Sequence, residues 1–512
     1  MFSKTYSGGI LGIEGYLVRA EADVSDGLPQ FRMVGYLSSE VKEAEERVRT
    51  AIRNSGFRLP PKRVTVNLSP ADIRKEGTCC DLAVAVAVLV SHGVADPELP
   101  GKSGFLGELS LDGRVRAVHG VLPMVIAMRD AGLRYCFLPA ENVCEGLAVE
   151  GIGIVKVSDL AALVTVLNHP GELPLESPEK ILSAEEEAVY PVDFSDVSGQ
   201  RLVLRATEIA AAGMHNLLYI GPPGSGKSMI ARRIPTILPE MSGEEQLEVS
   251  KVYSICGMLP PGRAWMRARP FRAPHHTVSA QAMTGGGRRP KPGEISLASR
   301  GVLFLDELPE FQKHTLEILR QPLEDHRVIV ARVHGTFSFP AHFMLAAAMN
   351  PCPCGYFPDR NRCSCTISQV RNYLGKISRP LLDRIDICVE AAPVTYQDLR
   401  GGAENETSAE IRARVERCRR VQQRRFAESG IYFNGEMGSR EIAVYCRLGE
   451  AEHTFLDQVY RKLGLSARGC HKILKVARTI ADMAGSEEIR KEHLSEAVGY
   501  RDLEERYWGG AR

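Results

Sequence analysis

Apolar and polar positions divide this chain into two kinds of stretch. Residues 15–22 and 63–68 alternate apolar with polar, the period of a half-buried strand. In contrast, 216–220 (Asn-Leu-Leu-Tyr-Ile), 301–305 (Gly-Val-Leu-Phe-Leu) and 343–350 (Phe-Met-Leu-Ala-Ala-Ala-Met-Asn) are short continuous apolar runs. Strands buried on both faces of a parallel sheet read this way. Helical spacing marks 40–54 and 202–212, a small-residue helix is expected over 81–89, and 229–235 opens an amphipathic helix. A hairpin is expected over 327–339 with Gly335 near its turn, and a strand over 385–390. Residues 407–426 form a strongly basic helical pattern, with further helices over 439–460, 466–484 and 489–503. The resulting division is an α+β module (1–170), a Pro/Glu/Ser-rich linker (171–192), an α/β domain (193–395) and a helical domain (396–512).

Composition narrows the function classes. With 512 residues, 44% apolar and 25% charged, the chain has material for about three globular domains. A net charge of +1 excludes a globally basic nucleic-acid coat, so contacts of that kind have to come from local patches. No apolar run approaches a membrane span and the first residues lack a signal-peptide core, so a cytoplasmic protein with no membrane partner is expected. The 13 cysteines are odd in number and spread along the chain, which argues against a disulfide framework.

The chemistry follows from what ends each apolar run. After 216–220 comes Gly221-Pro222-Pro223-Gly224-Ser225-Gly226-Lys227-Ser228, a match to the phosphate-binding loop G-x-x-x-x-G-K-[ST] between a strand and a helix. Its backbone N–H groups would hold phosphate oxygens of ATP, Lys227 would reach the β/γ-phosphates, and Ser228 would ligate Mg²⁺. After 301–305 come Asp306, expected to hold Mg²⁺ through water, and Glu307, expected to orient and deprotonate the attacking water. Asn350 ends the next run, placed for the γ-phosphate or its water.

Other stretches leave alternatives open. The long interval between Lys227 and Asp306 leaves room for an extra element, assigned to 270–298. That element carries Gly285–Gly287 and the cations Arg288, Arg289 and Lys291. A glycine-rich basic loop suits phosphate-backbone contact with DNA, and Arg332 and His334 near the hairpin tip suit it too; a solvated surface loop is the other reading. His275 and His276 lack the i,i+4 spacing of a helical metal pair and are expected to pack or hydrogen-bond. Cys352, Cys354, Cys363 and Cys365 could close a structural tetrahedral Zn²⁺ site, or serve as reduced structural cysteines or a redox pair. Arg384, expected exposed at the end of an apolar helix, is either a finger reaching a neighbouring subunit's ATP or a salt-bridge partner of Asp383 or Asp386. The basic helix 407–426 is either a solvated or a DNA-facing surface.

Two pieces of the first module resemble the proteolytic domain of Lon proteases: Arg74-Lys-Glu-Gly-Thr-Cys-Cys-Asp81 and Gly107-Glu-Leu-Ser-Leu-Asp-Gly-Arg-Val-Arg116. The nucleophile position falls on Cys79 and the catalytic lysine position on Leu122, so the pair lacks its base and the module is not expected to be an active protease. The whole chain resembles the magnesium-chelatase-like AAA+ ATPases of the ComM/YifB type. The resemblance rests on GPPGSGKS, RPFRAPHHT–GGG–PGEISLA–RGVLFLDEL, AMNPCPC, SRPLLDRID and SARGCHKILKVARTIAD. It implies an AAA+ P-loop core, a parallel sheet with a helix-2 insert and a pre-sensor hairpin. A Lon-protease-like (ribosomal-S5-like) α+β domain would precede the core and an α-helical lid follow it. It further implies a homo-hexameric ring with ATP between subunits, DNA in its pore, and branch migration in natural transformation and recombination. Family roles fall on Lys227, Ser228, Asp306, Glu307, Asn350, Arg384 and Arg468, the two arginines acting in trans. The competing function is a chelatase-like motor remodelling a protein or porphyrin-insertion partner.

Overall fold

The structure, a computed structural model, describes residues 1–177, 190–260, 262–263, 265–287, 290–332, 335–393 and 405–509. Most of the expected linker and the start of the expected helical domain lie outside these. The chain forms two compact units. The first is Met1–Glu187 with Gly243–Met266 and Val333–Ser338; the second is Ala188–Ser242 with Arg267–Arg332 and Phe339–Arg512. Among the described residues no helix is long and apolar enough to cross a membrane.

Unit 1 is built on a mixed sheet of β1 (Phe2–Leu11), β2 (Glu14–Ser25), β3 (Gln30–Val34), β4 (Arg63–Ser69), β5 (Ser103–Phe105), β6 (Tyr135–Pro139) and β7 (Gly153–Val157). The spatial order is β3-β4-β2-β1-β5-β6-β7. Alternation in β4 buries Val64, Val66 and Leu68 on one face, as its period-2 pattern predicts. Helix Ser39–Asn54 buries Val41, Ala44, Val48, Ala51 and Ile52 and is capped by Ser38. Helix Asp81–Ser91 is buried on every side, which is why its Ala/Val sequence has no polar face. Cys79 donates its thiol to Gly8 O (3.3 Å), and Leu122, at the expected lysine position, is fully buried.

One helix of this unit, Gly243–Cys256, comes from between the phosphate loop and Asp306 in sequence. Ser254 O accepts from Gly120 N (2.9 Å), Ser254 Oγ donates to Glu145 (2.6 Å), and Lys251 pairs with Glu14 (2.8 Å). The sequence places the extra element at 270–298 alone, so this helix is an addition to that expectation. Because this helix buries residues around much of its circumference, no single apolar stripe announces it.

Unit 2 carries an all-parallel sheet of β8 (Leu217–Ile220), β9 (Phe271–Arg272), β10 (Val302–Leu305), β11 (Met344–Met349) and β12 (Ile387–Glu390), in the order β9-β10-β11-β8-β12. Every residue of β8, β10 and β11 is buried, as their continuous apolar runs require. The parallel register (Ile220↔Met349, Leu305↔Ala347) puts the residues after these three strands on one edge of the sheet, where ligands bind in such folds. The 270–298 stretch departs from the expected excursion: its first residues are the edge strand β9. The remainder forms helix Ala280–Thr284, a Gly285–Gly286/Lys291–Pro292 ladder and helix Glu294–Leu297.

Helices Ser408–Arg425, Ser439–Tyr445, Glu450–Leu463, Ala467–Met483 and Lys491–Trp508 complete the unit. The single helix expected over 439–460 is two, because Gly449 takes an extended conformation at the start of the second. Ile411, Val415, Ile473 and Ile480 join the same core as Leu217, Tyr219 and Phe304. The basic helix packs one face inward as a strut and leaves Arg417, Arg420 and Arg424 exposed on the other. Arg414 pairs with Glu208 (2.5 Å) and Glu406 (2.7 Å), Arg425 with Asp482 (2.5 Å), and Arg412 donates to Thr236 O (2.8 Å).

Candidate nucleotide-binding site

The loop after β8 is shaped by its glycines. Gly224 and Gly226 have φ of 76° and 82°, the left-handed region that favours glycine. A Cβ on Gly221 would lie 2.4 Å from Ala391 O, so the loop start has to be glycine for β12 to run beside it. Lys227 is 8% exposed, and its Nζ donates to Gly221 O (2.8 Å), Pro222 O (2.8 Å), Ser225 Oγ (3.3 Å) and Asn350 Oδ1 (3.3 Å). Burial lowers its pKa, and the nearby Asp306 carboxylate works in the opposite sense. The ammonium is thus pre-positioned on the loop it would share with a phosphate.

Ser228 Oγ donates to Asp306 Oδ2 at 2.6 Å, bringing together two hard oxygen donors of the kind Mg²⁺ takes. Asp306 Oδ1 accepts from Glu307 N (2.9 Å), and Glu307 itself sits at φ 53°. Its carboxylate oxygen lies 3.3 Å from His276 Nδ1, while His276 contacts the ring of His275 and the edge of Phe311. Glu307 and Asn350 line a cavity of about 530 Å³ together with Glu310, Pro353, Gln369, Asn372, Tyr373 and Lys376. Gln200 reaches the loop from the other side, its Nε2 donating to Ser225 O (3.2 Å).

Arg384 differs from its expectation. Its side chain is 10% exposed, not free, and its partner is neither Asp383 nor Asp386 but Glu324 (2.7 Å), with further bonds to Arg320 O and Pro380 O. Arg468, 62% exposed, pairs with the same Glu324 oxygen at 2.9 Å. The two arginines therefore form one cluster. Among the described residues neither bonds to the phosphate loop, Asp306 or Glu307.

The four cysteines of the 352–365 loop converge. Cys352 Sγ lies 3.4 Å from Cys354 Sγ and 3.8 Å from Cys363 Sγ, Cys354 lies 3.6 Å from Cys363, and all four sulfurs lie within 4.8 Å of one another.

Comparison with known proteins agrees with this geometry. The family "Magnesium chelatase, subunit ChlI" matches residues 193–399, a second ChlI family matches 20–142, and the ChlI C-terminal family matches 405–501. Competence protein ComM of Haemophilus influenzae is 42% identical over 501 residues, 97% of each chain. This chain belongs to the ComM/YifB family of magnesium-chelatase-like AAA+ proteins. YifB of Escherichia coli is 40% identical over 496 residues, 96% of each chain. The magnesium-chelatase 38 kDa subunit of Rhodobacter capsulatus is 26% identical over 186 residues, 33% of this chain and 52% of that protein.

In this family member the basic elements expected to meet DNA are partly visible. Arg288, Arg289 and His334 lie outside the described residues. Lys291 is exposed on the strand opposite Gly285–Gly286, and Arg332 donates to Gly287 O (3.4 Å), so Arg332 and the glycine loop come together. Gln200 and Glu324 carry no sign of these contacts in the sequence, whereas His276, expected to pack or hydrogen-bond, does so against His275, Phe311 and Glu307. None sits in a recognisable spacing; each reaches its partner through the fold.

Proposed function

We propose that this protein is an ATP-driven DNA motor of the cytoplasm, a homo-hexameric helicase that migrates branched DNA in natural transformation and homologous recombination. ATP is its substrate. Lys227 binds the terminal phosphates, Glu307 orients and deprotonates the attacking water, and Asn350 holds the γ-phosphate side. Ser228 and Asp306 would hold Mg²⁺, which supplies charge neutralisation on the transferred phosphoryl group. Arg384 and Arg468 act on the neighbouring subunit's ATP. Lys291, Arg332, Arg288, Arg289 and His334 contact the DNA backbone. The thiol cluster is the place for a structural metal.

The observation that carries this reading is the approach of His276 to Glu307 at 3.3 Å. His276 belongs to the same 270–298 stretch that carries the glycine-rich basic loop, so the stretch expected to meet DNA also reaches the carboxylate assigned to hydrolysis. The experiment is ATP hydrolysis with and without forked DNA, together with strand displacement, in wild type and Glu307→Gln. Expected are DNA-stimulated hydrolysis and displacement in wild type, with hydrolysis lowered about 100-fold or more in the variant. Hydrolysis indifferent to DNA with no displacement overturns the proposal, and stimulation by a porphyrin with partner subunits would favour a chelatase-type motor.

A further inference from the structure

We infer that Cys352, Cys354, Cys363 and Cys365 bind one zinc ion, and that this ion is a positioning element of the ATP site. The inference rests on reading Gly221–Ser228 as that site. A tetrahedron with Zn–S bonds of about 2.3 Å has S···S edges of about 3.8 Å. The separations of 3.4, 3.6 and 3.8 Å fall at or just inside that edge, whereas a disulfide would need about 2.0 Å. All four thiols are free of disulfides; Cys352 is fully buried and Cys363 and Cys365 nearly so. Four soft donors that fill every tetrahedral position make a closed, structural centre and favour zinc over the oxygen-loving cations. The backbone supports the donors: Phe357 N donates to Cys352 Sγ (3.4 Å), and Asp359 O accepts from Cys363 N (2.8 Å) to turn the second pair towards the first.

The same knot ties down three walls of the nucleotide site. Asn350, which accepts from Lys227 Nζ, lies two residues ahead of Cys352. Gly355, inside the first turn, is packed so closely on the phosphate loop that a Cβ there would be 2.4 Å from Pro223 Cδ. Cys365 directly precedes Thr366, the N-cap of helix Ile367–Leu374, and that helix supplies Gln369, Asn372 and Tyr373 to the cavity beside Glu307. A loop so short, with little apolar core of its own, depends on a cross-link to hold these three attachments in register.

The test uses the full chain purified under reducing conditions without added metal. Elemental analysis is expected to find about one zinc per chain, and Co²⁺ exchanged into the site should give the visible absorption of a tetrahedral tetrathiolate centre. A Cys352→Ser/Cys354→Ser variant should lose the zinc and at least about ten-fold in kcat for ATP. Cys470→Ser, a thiol outside the cluster, should keep both. Should the double variant fail to fold, zinc stripped from wild type with a mercurial and a chelator, then restored, gives the same comparison: hydrolysis should fall and return. Metal-free wild type, or an iron-coloured protein, overturns the zinc assignment. Full hydrolysis by the stripped protein overturns the positioning role. Binding of a fluorescent ATP analogue to wild type separates either failure from a failure of the ATP-site reading itself.

Discussion

Glu307 has two polar neighbours, one at its backbone and one at its carboxylate. Its backbone N–H is drawn to Asp306 Oδ1 (2.9 Å), which holds the residue at φ 53°, and its carboxylate meets His276 at 3.3 Å. A non-glycine residue in that region costs about 1–3 kcal/mol and persists only where its surroundings fix it. The contact with His276 follows from sheet register: Arg272 pairs with Leu303, and His276 and Glu307 each lie four residues further on. That explains what the sequence could and could not disclose here. Gly221–Ser228, Asp306 and Asn350 were readable because each follows directly on a recognisable strand. His276 was not, because its meaning depends on a two-residue edge strand too short to have a pattern. If the contact restrains Glu307 until DNA engages the basic loop, His276→Ala should raise ATP hydrolysis without DNA several-fold, by roughly 1 kcal/mol of barrier, and shrink the stimulation by DNA. Unchanged basal hydrolysis and unchanged stimulation would remove His276 from the coupling.

Between elements, the decisive contacts are polar groups buried where β12 meets the C-terminal helices. Asp386, just before β12, is 8% exposed; it accepts from Asn216 N (3.1 Å) and lies 3.7 Å from His215 Nδ1 and 3.9 Å from Lys472 Nζ. Lys472 and Arg501, from two different helices, both donate to Ile385 O (2.7 and 2.8 Å). Burial alone would push the Asp386 carboxyl up, but His215 and Lys472 outweigh it and hold the group well below the usual carboxylate range. The native state therefore keeps this group ionised in acid where the unfolded chain, with a carboxyl near 4, takes up a proton. Stability from this group is present in full above about pH 4 and is lost as the pH falls below it, because there the unfolded state binds more protons. Asp386→Asn should lower unfolding free energy at neutral pH by about 3 kcal/mol, since it leaves Lys472 buried without its counter-charge. Urea titrations at several pH values should also give a shallower acid loss for the variant; equal slopes would assign the acid sensitivity elsewhere. The helices themselves were legible from their periodicity, except that the pattern over 439–460 runs two of them together. The use of the basic helix as a strut was not, because Glu208 and Asp482 are distant in sequence.

At the scale of the molecule, each half of the proposed motor has a feature that one chain leaves incomplete. The DNA side rests on exposed cations: replacing Lys291 and Arg332 together should weaken DNA binding across sequences and reduce the slope of log K against log salt by about 1 per lost phosphate contact. An unchanged slope would place the DNA elsewhere. On the ATP side, the proposed motor has its site completed in trans. Arg384 and Arg468 converge on Glu324 and make no bond to Lys227 or Glu307 among the described residues, so within one chain they sit together but apart from the phosphate loop. A motif string carries no sign of this, because Glu324 belongs to neither arginine's stretch of sequence. In a ring whose sites are shared, Lys227→Ala and Arg384→Ala should each abolish hydrolysis when every subunit carries the change. A ring assembled from both variants regains an intact site wherever a subunit with its lysine faces one with its arginine. Random mixing of equal amounts makes that about a quarter of the interfaces. Hydrolysis should therefore reappear on mixing, to about a quarter of wild type if sites fire independently. A mixture as inactive as its parts would mean that Arg384 acts within its own chain and that the site needs no neighbour.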